Sequence, residues 1–225
     1  MKQAEILYED NHLIAVNKPA GFLVQGDRTG DETILELLKQ YVKTTYNKPG
    51  DVFLAPNHRL DRPVSGVLLF SKTSKSLRRV NALFQKNQIR KKYYAITEGI
   101  PEKLEDRVVD YIAKNRKKNI SFITSKGKYD AKKCALSYQV TKVINRKCLI
   151  EVNPETGRSH QIRVQLGALG VPIVGDLKYN AQMKMEDRSI ALHCHSLEFE
   201  HPVKKEMIII EAPVPSLAIW SIYFG

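Results

Sequence analysis

The chain has 225 residues, of which 43% are hydrophobic, and this is ample for one sizeable hydrophobic core. It contains no apolar run long enough to cross a membrane, no signal-peptide pattern, and three widely spaced cysteines, which argue against a disulfide framework or a zinc ribbon. The 36 lysines and arginines exceed the 24 acidic residues by twelve, which favours a nucleic acid partner. A basic protein from a basic proteome is the alternative. We expect a cytoplasmic location and no membrane partner.

The first part of the chain predicts paired strands and two helices. Residues 5–18 alternate between apolar and polar side chains and predict two strands joined by a turn at Asp10 and Asn11. Residues 31–46 have apolar side chains at helical spacing, with an acidic start and later lysines. A second helix begins with Thr73 or Ser74 as its N-cap. The apolar segments 51–56 and 66–72, and then residues 90–99, predict strands.

The composition changes between residues 114 and 133. This segment holds eight lysines and arginines and one acidic residue, Asp130, and its weak alternation predicts an exposed hairpin. Residues 134–154 predict another hairpin that turns at Asn145 and Arg146.

The last part of the chain predicts one helix and two strands. Ser159 can cap a helix that Gly170 ends, and two apolar segments then follow as strands. Strands and helices mix without a regular alternation along the chain. The pattern therefore predicts an α+β fold, a single domain with a mixed, largely antiparallel β-sheet and flanking helices.

The segment "HRLDRPVSG", residues 58–66, contains a first candidate for chemistry. Asp61 lies between Arg59 and Arg62, and opposite charges favour the ionised carboxylate. An ionised, fixed carboxylate can act as a nucleophile or as a base. The alternative is a turn aspartate in a surface cluster of ion pairs.

The segment "NPETGRSHQIRVQL", residues 153–166, is a second candidate. It places Arg158, His160 and Arg163 at or just inside the start of the predicted helix. Backbone N–H groups at a helix start suit phosphate, and the two arginines can reach phosphates or a carboxylate. The alternative is a capped amphipathic helix with a solvated basic face.

Three further patterns have weaker implications. Tyr93 and Tyr94 point to opposite faces of a strand, so one can stack on a base while the other packs in the core. His193 and His195 share a strand face, but no third ligand has suitable spacing, and we predict no metal. Lys18, in the strand-end turn "NKPAG", receives no role, because a solvated lysine is an equal alternative.

Several blocks, in order along most of the chain, resemble the RluA-type pseudouridine synthases. They are "DNHLIAVNKPAG", "HRLDRPVSGVLLFSKT", "KKYYAITEG", "ETGRSHQIRV", "GVPIVGDLKY" and "LHCHSLEFEHP". The resemblance implies that Asp61 is catalytic and that Tyr93, rather than Tyr94, is the active-site tyrosine. It also implies that Arg163 pairs with the catalytic aspartate.

The resemblance implies isomerisation of uridine to pseudouridine in 23S ribosomal RNA or transfer RNA, without a cofactor or a metal. Arg59 would fill the space that the flipped base leaves, and Arg62, Arg158 and His160 would contact RNA. We expect residues 1–225 to form the catalytic domain, without an N-terminal S4-like RNA-binding domain, and to act as a monomer.

Two other functions are alternatives to this enzyme. A non-catalytic RNA-binding or ribosome-assembly protein could use the same scaffold, although binding alone does not require Asp61, Tyr93 and Arg163. A glycoside hydrolase would need a second carboxylate, and no motif offers one beside Asp61.

Overall fold

The computed structural model describes residues 4–26 and 30–225, which form eleven strands, four α-helices and one 3-10 helix at Leu177–Tyr179. The strands are β1 (Glu5–Glu9), β2 (Leu13–Lys18), β3 (Ala55–Pro56), β4 (Ser65–Ser71), β5 (Arg90–Glu98), β6 (Glu105–Asn115), β7 (Ile120–Thr124), β8 (Lys132–Ile144), β9 (Lys147–Pro154), β10 (Leu192–Glu200) and β11 (Met207–Glu211). The helices are α1 (Ile34–Thr45), α2 (Ser74–Gln85), α3 (Gln161–Ala168) and α4 (Ala218–Phe224). The predicted α+β class is confirmed.

The chain divides into two compact units. The first unit comprises Met1–Arg90 and Cys194–Val214, and the second comprises Lys91–His193 and Pro215–Gly225. In the first unit β1, β2, β4 and β10 lie side by side, with β11 beside β10 and β3 beside β4. In the second unit the strand order is β5, β9, β8, β6 and β7. The pairs β1–β2, β2–β4, β10–β11, β5–β9, β8–β9, β6–β8 and β6–β7 are antiparallel, which agrees with the predicted sheet.

The core of the first unit forms around β2 and β4. The side chains of residues 13–16 and 67–70 are 0% exposed, so both faces of these strands are covered. This explains why their sequences read as continuous apolar runs rather than as alternating ones. Helix α1 begins with a capping box between Thr33 and Glu36, and α2 begins with the predicted N-cap Thr73.

One strand and one helix differ from the sequence-based prediction. Of the strand predicted over residues 51–56, only Ala55 and Pro56 pair with β4. Helix α4 was not predicted, since its short apolar run with aromatic residues does not distinguish helix from strand. Its Trp220 and Tyr223 are buried.

The second unit contains both predicted hairpins, one of them with different bounds. The hairpin predicted over residues 114–133 lies earlier in the chain, because β6 and β7 pair between residues 111 and 124 and the rest of the basic segment forms a loop and the start of β8. β8 and β9 turn at Asn145 and Arg146, whose φ angles of 49° and 61° are both left-handed. Two successive left-handed residues match the natural twist of paired strands, so this turn fixes the hairpin register.

Helix α3 confirms one predicted boundary and corrects the other. Gly170 ends the helix with a φ of 77°, and its N–H donates to Gly167 O at 3.1 Å. The predicted N-cap Ser159 is wrong. The N-cap is His160, in a left-handed conformation without a side-chain capping bond, while the Ser159 hydroxyl accepts a hydrogen bond from Lys114 Nζ.

Within the described ranges, no helix is both long and apolar enough to span a membrane. Cys134, Cys148 and Cys194 are buried and form no disulfide. Burial raises the pKa of Cys134 to about 11, so this thiol stays protonated near neutral pH.

Candidate functional site

Asp61 lies on a tight turn that leads into the buried strand β4. Its backbone carbonyl accepts a hydrogen bond from Val64 N–H at 3.0 Å, which closes the turn over Arg62 and Pro63. Every residue of β4 is buried, whereas Asp61 itself is half-buried. The carboxylate is therefore partly accessible at the end of a strand that packing holds still.

A second loop, residues 18–22, is bound to this turn by reciprocal hydrogen bonds. Gly21 N–H donates to Arg62 O at 2.8 Å, and Arg62 Nε donates to Gly21 O at 2.9 Å. Arg62 Nη1 also lies 2.7 Å from Asp31 Oδ2. Arg62 thus supports the turn, and the RNA contact expected of it stays a prediction.

Lys18 is a site residue that the sequence did not reveal. Its side chain is 0% exposed, and Nζ donates to Pro19 O at 3.0 Å, Phe22 O at 2.9 Å and Arg62 O at 3.3 Å. Burial lowers the pKa of Lys18 to about 7, although the charge of Asp61 acts to raise it. The available signal was a lysine at the end of a buried strand, directly before Pro-Ala-Gly.

Gly66 allows β4 to pass close to β10. Its φ is 115°, and a Cβ atom at this position would lie 2.2 Å from Cys194 O. Ser65 and Gly66 are the first residues of β4, and the close backbone approach requires the glycine.

The residues before Asp61 differ in their exposure. His58 Nε2 accepts a hydrogen bond from Leu69 N–H at 3.2 Å, and its ring lies 5.3 Å from that of Phe84. Through these two contacts His58 holds the residues before Asp61 against β4 and α2. Arg59 is exposed, and its insertion into RNA stays a prediction.

Arg163, in the second unit, forms a buried bidentate ion pair with Asp176. Nε lies 2.7 Å from Oδ2 and Nη2 lies 2.7 Å from Oδ1, and the guanidinium carbon is 5.1 Å from the centre of the Tyr179 ring. The fixed fork of a guanidinium suits this geometry. Asp176 belongs to the block "GVPIVGDLKY" but was not singled out. The pairing of Arg163 with Asp61 stays a prediction.

His160 belongs to a buried network beside Arg163. Ser121 N–H donates to Tyr179 Oη at 2.9 Å, and Tyr179 Oη lies 2.7 Å from His160 Nδ1. Burial raises the pKa of Tyr179, so its hydroxyl keeps the proton that it can donate to His160. His160 is 8% exposed, and the RNA contact expected of it stays a prediction.

The remaining predicted residues of the second unit have different environments. Tyr93 is buried, whereas the Tyr94 ring packs 5.1 Å from the Phe224 ring. Arg158 is exposed, and its Nε donates to Lys133 O at 3.2 Å. A neutral partner leaves the charge of Arg158 available to an anion.

The two histidines of β10 have separate surroundings. The His193 ring lies edge-on to Trp220 at 5.9 Å, and His195 Nδ1 lies 3.1 Å from Ala212 O. In residues 4–26 and 30–225, no three His, Cys, Asp or Glu side chains are grouped so that they could hold a metal ion.

Comparison with known proteins gives consistent matches. The family model described as RNA pseudouridylate synthase matches residues 12–168. tRNA pseudouridine synthase C of Vibrio parahaemolyticus is 33% identical over 233 residues, covering 94% of this chain and 91% of that protein. Ribosomal large subunit pseudouridine synthase C of Buchnera aphidicola is 34% identical over 219 residues, and the match covers 93% of this chain but 66% of that protein.

A solved structure matches the fold as well. The structure titled Human RNA Pseudouridylate Synthase Domain Containing 4 has a TM-score of 0.81 at 26% identity, covering 97% of this chain and 91% of that chain. The residues that the family model matches include the turn that carries Asp61 and the helix that carries Arg163.

Proposed function

Because the chain belongs to the RNA pseudouridylate synthase family, we propose that it converts uridine to pseudouridine in RNA with Asp61 as the catalytic residue. The reaction breaks the N1–C1′ bond of uridine, turns the uracil, and joins C5 to C1′. The product is an isomer of the substrate, so the overall change involves neither oxidation nor hydrolysis.

The setting of Asp61 is the observation that carries this proposal. The carboxylate is half-buried on a turn that Arg62 and the loop of residues 18–22 brace through several hydrogen bonds. A group that reacts with a bound nucleoside must be held close to its reactive geometry, since small displacements lower the rate strongly. A solvated surface aspartate would not need such bracing.

The position of Arg59 suits base flipping. A uridine in structured RNA is stacked, and an enzyme must extrude it at a cost of a few kcal/mol, roughly. Arg59 is exposed two residues before Asp61 and can occupy the space that the base vacates. Asp61 then either adds to the flipped nucleoside or removes a proton from its sugar. The family motifs also assign Tyr93 and Arg163 to this reaction.

We propose large-subunit ribosomal RNA or transfer RNA as the substrate class. The names of the similar bacterial proteins include both kinds of RNA. The excess of 36 basic over 24 acidic residues supports a polyanionic substrate. Pseudouridine mapping of total RNA from a strain that lacks the gene, beside its parent, would identify the modified position.

The decisive variant is Asp61→Asn, expressed in the strain that lacks the gene. We expect the target pseudouridine to be absent, because the amide is neither a nucleophile nor a base at neutral pH. The matched control is Asp51→Asn, an exposed aspartate of the same unit, which should restore the modification. If Asp61→Asn restores it as well, Asp61 is not the catalyst. If it restores growth without the modification, the protein acts through RNA binding.

A further inference from the structure

Tyr129 is a large aromatic side chain that the fold leaves in solvent. It lies between β7 and β8, and 74% of it is exposed. Its φ is 52° and that of Asp130 is 55°, so two successive residues other than glycine have left-handed backbones. The Tyr129 ring makes an edge contact with the Phe122 ring, whose centre lies 5.6 Å away. Tyr129 and Asp130 are the central residues of a tight turn that a hydrogen bond from Ala131 N–H to Lys128 O closes at 2.9 Å.

Tyr129 borders a cleft of about 350 Å³ that is rich in cations, which we call the Tyr129 cleft. Its walls include Lys114, Arg116, Lys132 and Arg158. Lys114 Nζ donates to Ser159 Oγ and Arg158 Nε donates to Lys133 O, so neutral oxygens hold both groups. Their charges stay available to an anion, whereas Lys132 forms an ion pair with Asp130 at 2.6 Å.

The floor of the Tyr129 cleft is already ordered. Ser121 Oγ donates to Ser159 O at 2.7 Å, and Ser121 N–H donates to Tyr179 Oη at 2.9 Å. Val164 of α3 and Ile112 of β6 belong to the same buried cluster. The backbone segments that carry Lys114 and Arg158 therefore adjoin packed elements, which reduces the backbone entropy that is lost when a ligand binds.

We propose that the Tyr129 cleft is a subsite for one nucleotide of single-stranded RNA, with the base stacked on Tyr129 and its phosphates beside Lys114 and Arg158. This inference rests on the proposed function, because it assumes an RNA substrate. Single-stranded RNA is recognised by an aromatic platform next to a cationic groove. An acidic protein or a lipid headgroup would satisfy the cations but would not use the exposed face of the ring.

The test compares two fluorescent strands of the same length, about ten nucleotides: oligouridylate and a sugar-phosphate strand without bases. In Tyr129→Ala, affinity for oligouridylate should fall roughly tenfold to a hundredfold, because stacking is lost. Affinity for the strand without bases should stay near the wild-type value. Tyr129→Phe keeps the ring and should bind both strands as the wild type does.

Lys114→Gln examines the phosphate contact separately. The affinity for each of the two strands should fall by a similar factor, roughly fivefold, because the substitution removes one positive charge. Equal loss for both strands in Tyr129→Ala, or no loss for either, would overturn the subsite. The catalytic proposal fails through a different result, namely pseudouridine formation by Asp61→Asn. The failure of the subsite and the failure of the catalytic proposal are therefore distinguishable.

Discussion

The ammonium group of Lys18 lies where three backbone carbonyl groups from two loops converge. One of these carbonyls belongs to Arg62, 44 residues further along the chain, and the other two belong to Pro19 and Phe22. The side chain therefore joins the two loops that shape the surroundings of Asp61. Removal of Lys18 would leave buried carbonyl groups without a donor, which costs about 1–3 kcal/mol for each group left unsatisfied.

The burial of Lys18 predicts how the free energy of unfolding depends on pH. The folded-state pKa of Lys18 is about 7, well below its ordinary value, so the unfolded chain binds more protons between about pH 7 and pH 10. Stability should rise with pH across this window, by at most about 1.4 kcal/mol per pH unit from this group. Urea unfolding of the wild type and of Lys18→Met should show the rise only in the wild type.

The matched control for Lys18→Met is Lys39→Met, which changes an exposed lysine of α1. Its free energy of unfolding should follow the wild-type dependence on pH, because this variant leaves Lys18 in place. If the free energy of unfolding changes with pH in the same way for Lys18→Met and for the wild type, the buried Lys18 ammonium does not titrate in this range.

Arg163, like Lys18, is a buried cation that depends on its partner, which here is an acidic side chain. Both it and Asp176 are almost fully buried, so each charge depends on the other for compensation. Breaking a buried pair on one side costs about 3–5 kcal/mol, because it leaves an isolated charge. The guanidinium therefore has a fixed orientation whatever its further contacts are.

At the scale of elements, the position of β4 depends on Gly66. The strand passes the backbone of Cys194 so closely that no side chain fits between them. The turn that carries Asp61 leads into this strand, so the spacing of β4 and β10 influences where the carboxylate lies. The last residue of "HRLDRPVSG" thus has a packing role that supports the catalytic one.

Gly66→Ala should destabilise the protein by about 3 kcal/mol or more, because strain in φ and overpacking add. For a chain of this size the midpoint of thermal unfolding should fall by about 10 °C. Gly50→Ala is the control, since a Cβ atom there meets no atom within 4 Å and φ is not in the left-handed region. A melting temperature for Gly66→Ala equal to that of this control would refute the close approach.

At the scale of the whole molecule, the excess of positive charge is distributed unevenly. Residues 114–133 hold eight of the 36 lysines and arginines and one of the 24 acidic residues. The structure presents this segment as the β6–β7 hairpin and the loop that carries Tyr129. A basic surface of this kind attracts a polyanion by releasing its counterions.

RNA affinity should therefore fall steeply with salt. If about five phosphates are contacted, the affinity for oligouridylate should fall about a hundredfold between about 50 mM and about 200 mM salt. Replacing Lys117, Lys126 and Lys128 with glutamine should reduce the slope of log affinity against log salt by about two. It should slow the chemistry on bound RNA much less.

The control for this variant replaces the exposed lysines Lys39, Lys43 and Lys48 with glutamine. It has the same net charge, so any difference in salt dependence reports the location of the charges rather than their number. Equal slopes for the two triple variants would show that the hairpin is not the main RNA contact.

The features that the sequence predicted correctly are local ones. The N-cap Thr73, the turn at Asn145 and Arg146, and the C-cap Gly170 each depend on a few neighbouring residues. Local sequence signals did not predict the structure where a residue distant in sequence contacts the group concerned. Ser159 has the chemistry of an N-cap, but Lys114 from β6 occupies its hydroxyl.

The sequence by itself determined the family, the turn that carries Asp61, and the strands and helices around it, because motif order and periodicity are properties of the chain. Only the tertiary structure decided which side chains are buried and what they contact. Lys18 contacts a loop 44 residues away, Arg163 contacts Asp176, and Tyr129 stays in solvent. Burial and pairing arise between segments distant in sequence, and they determine the charge state and the orientation of a functional group.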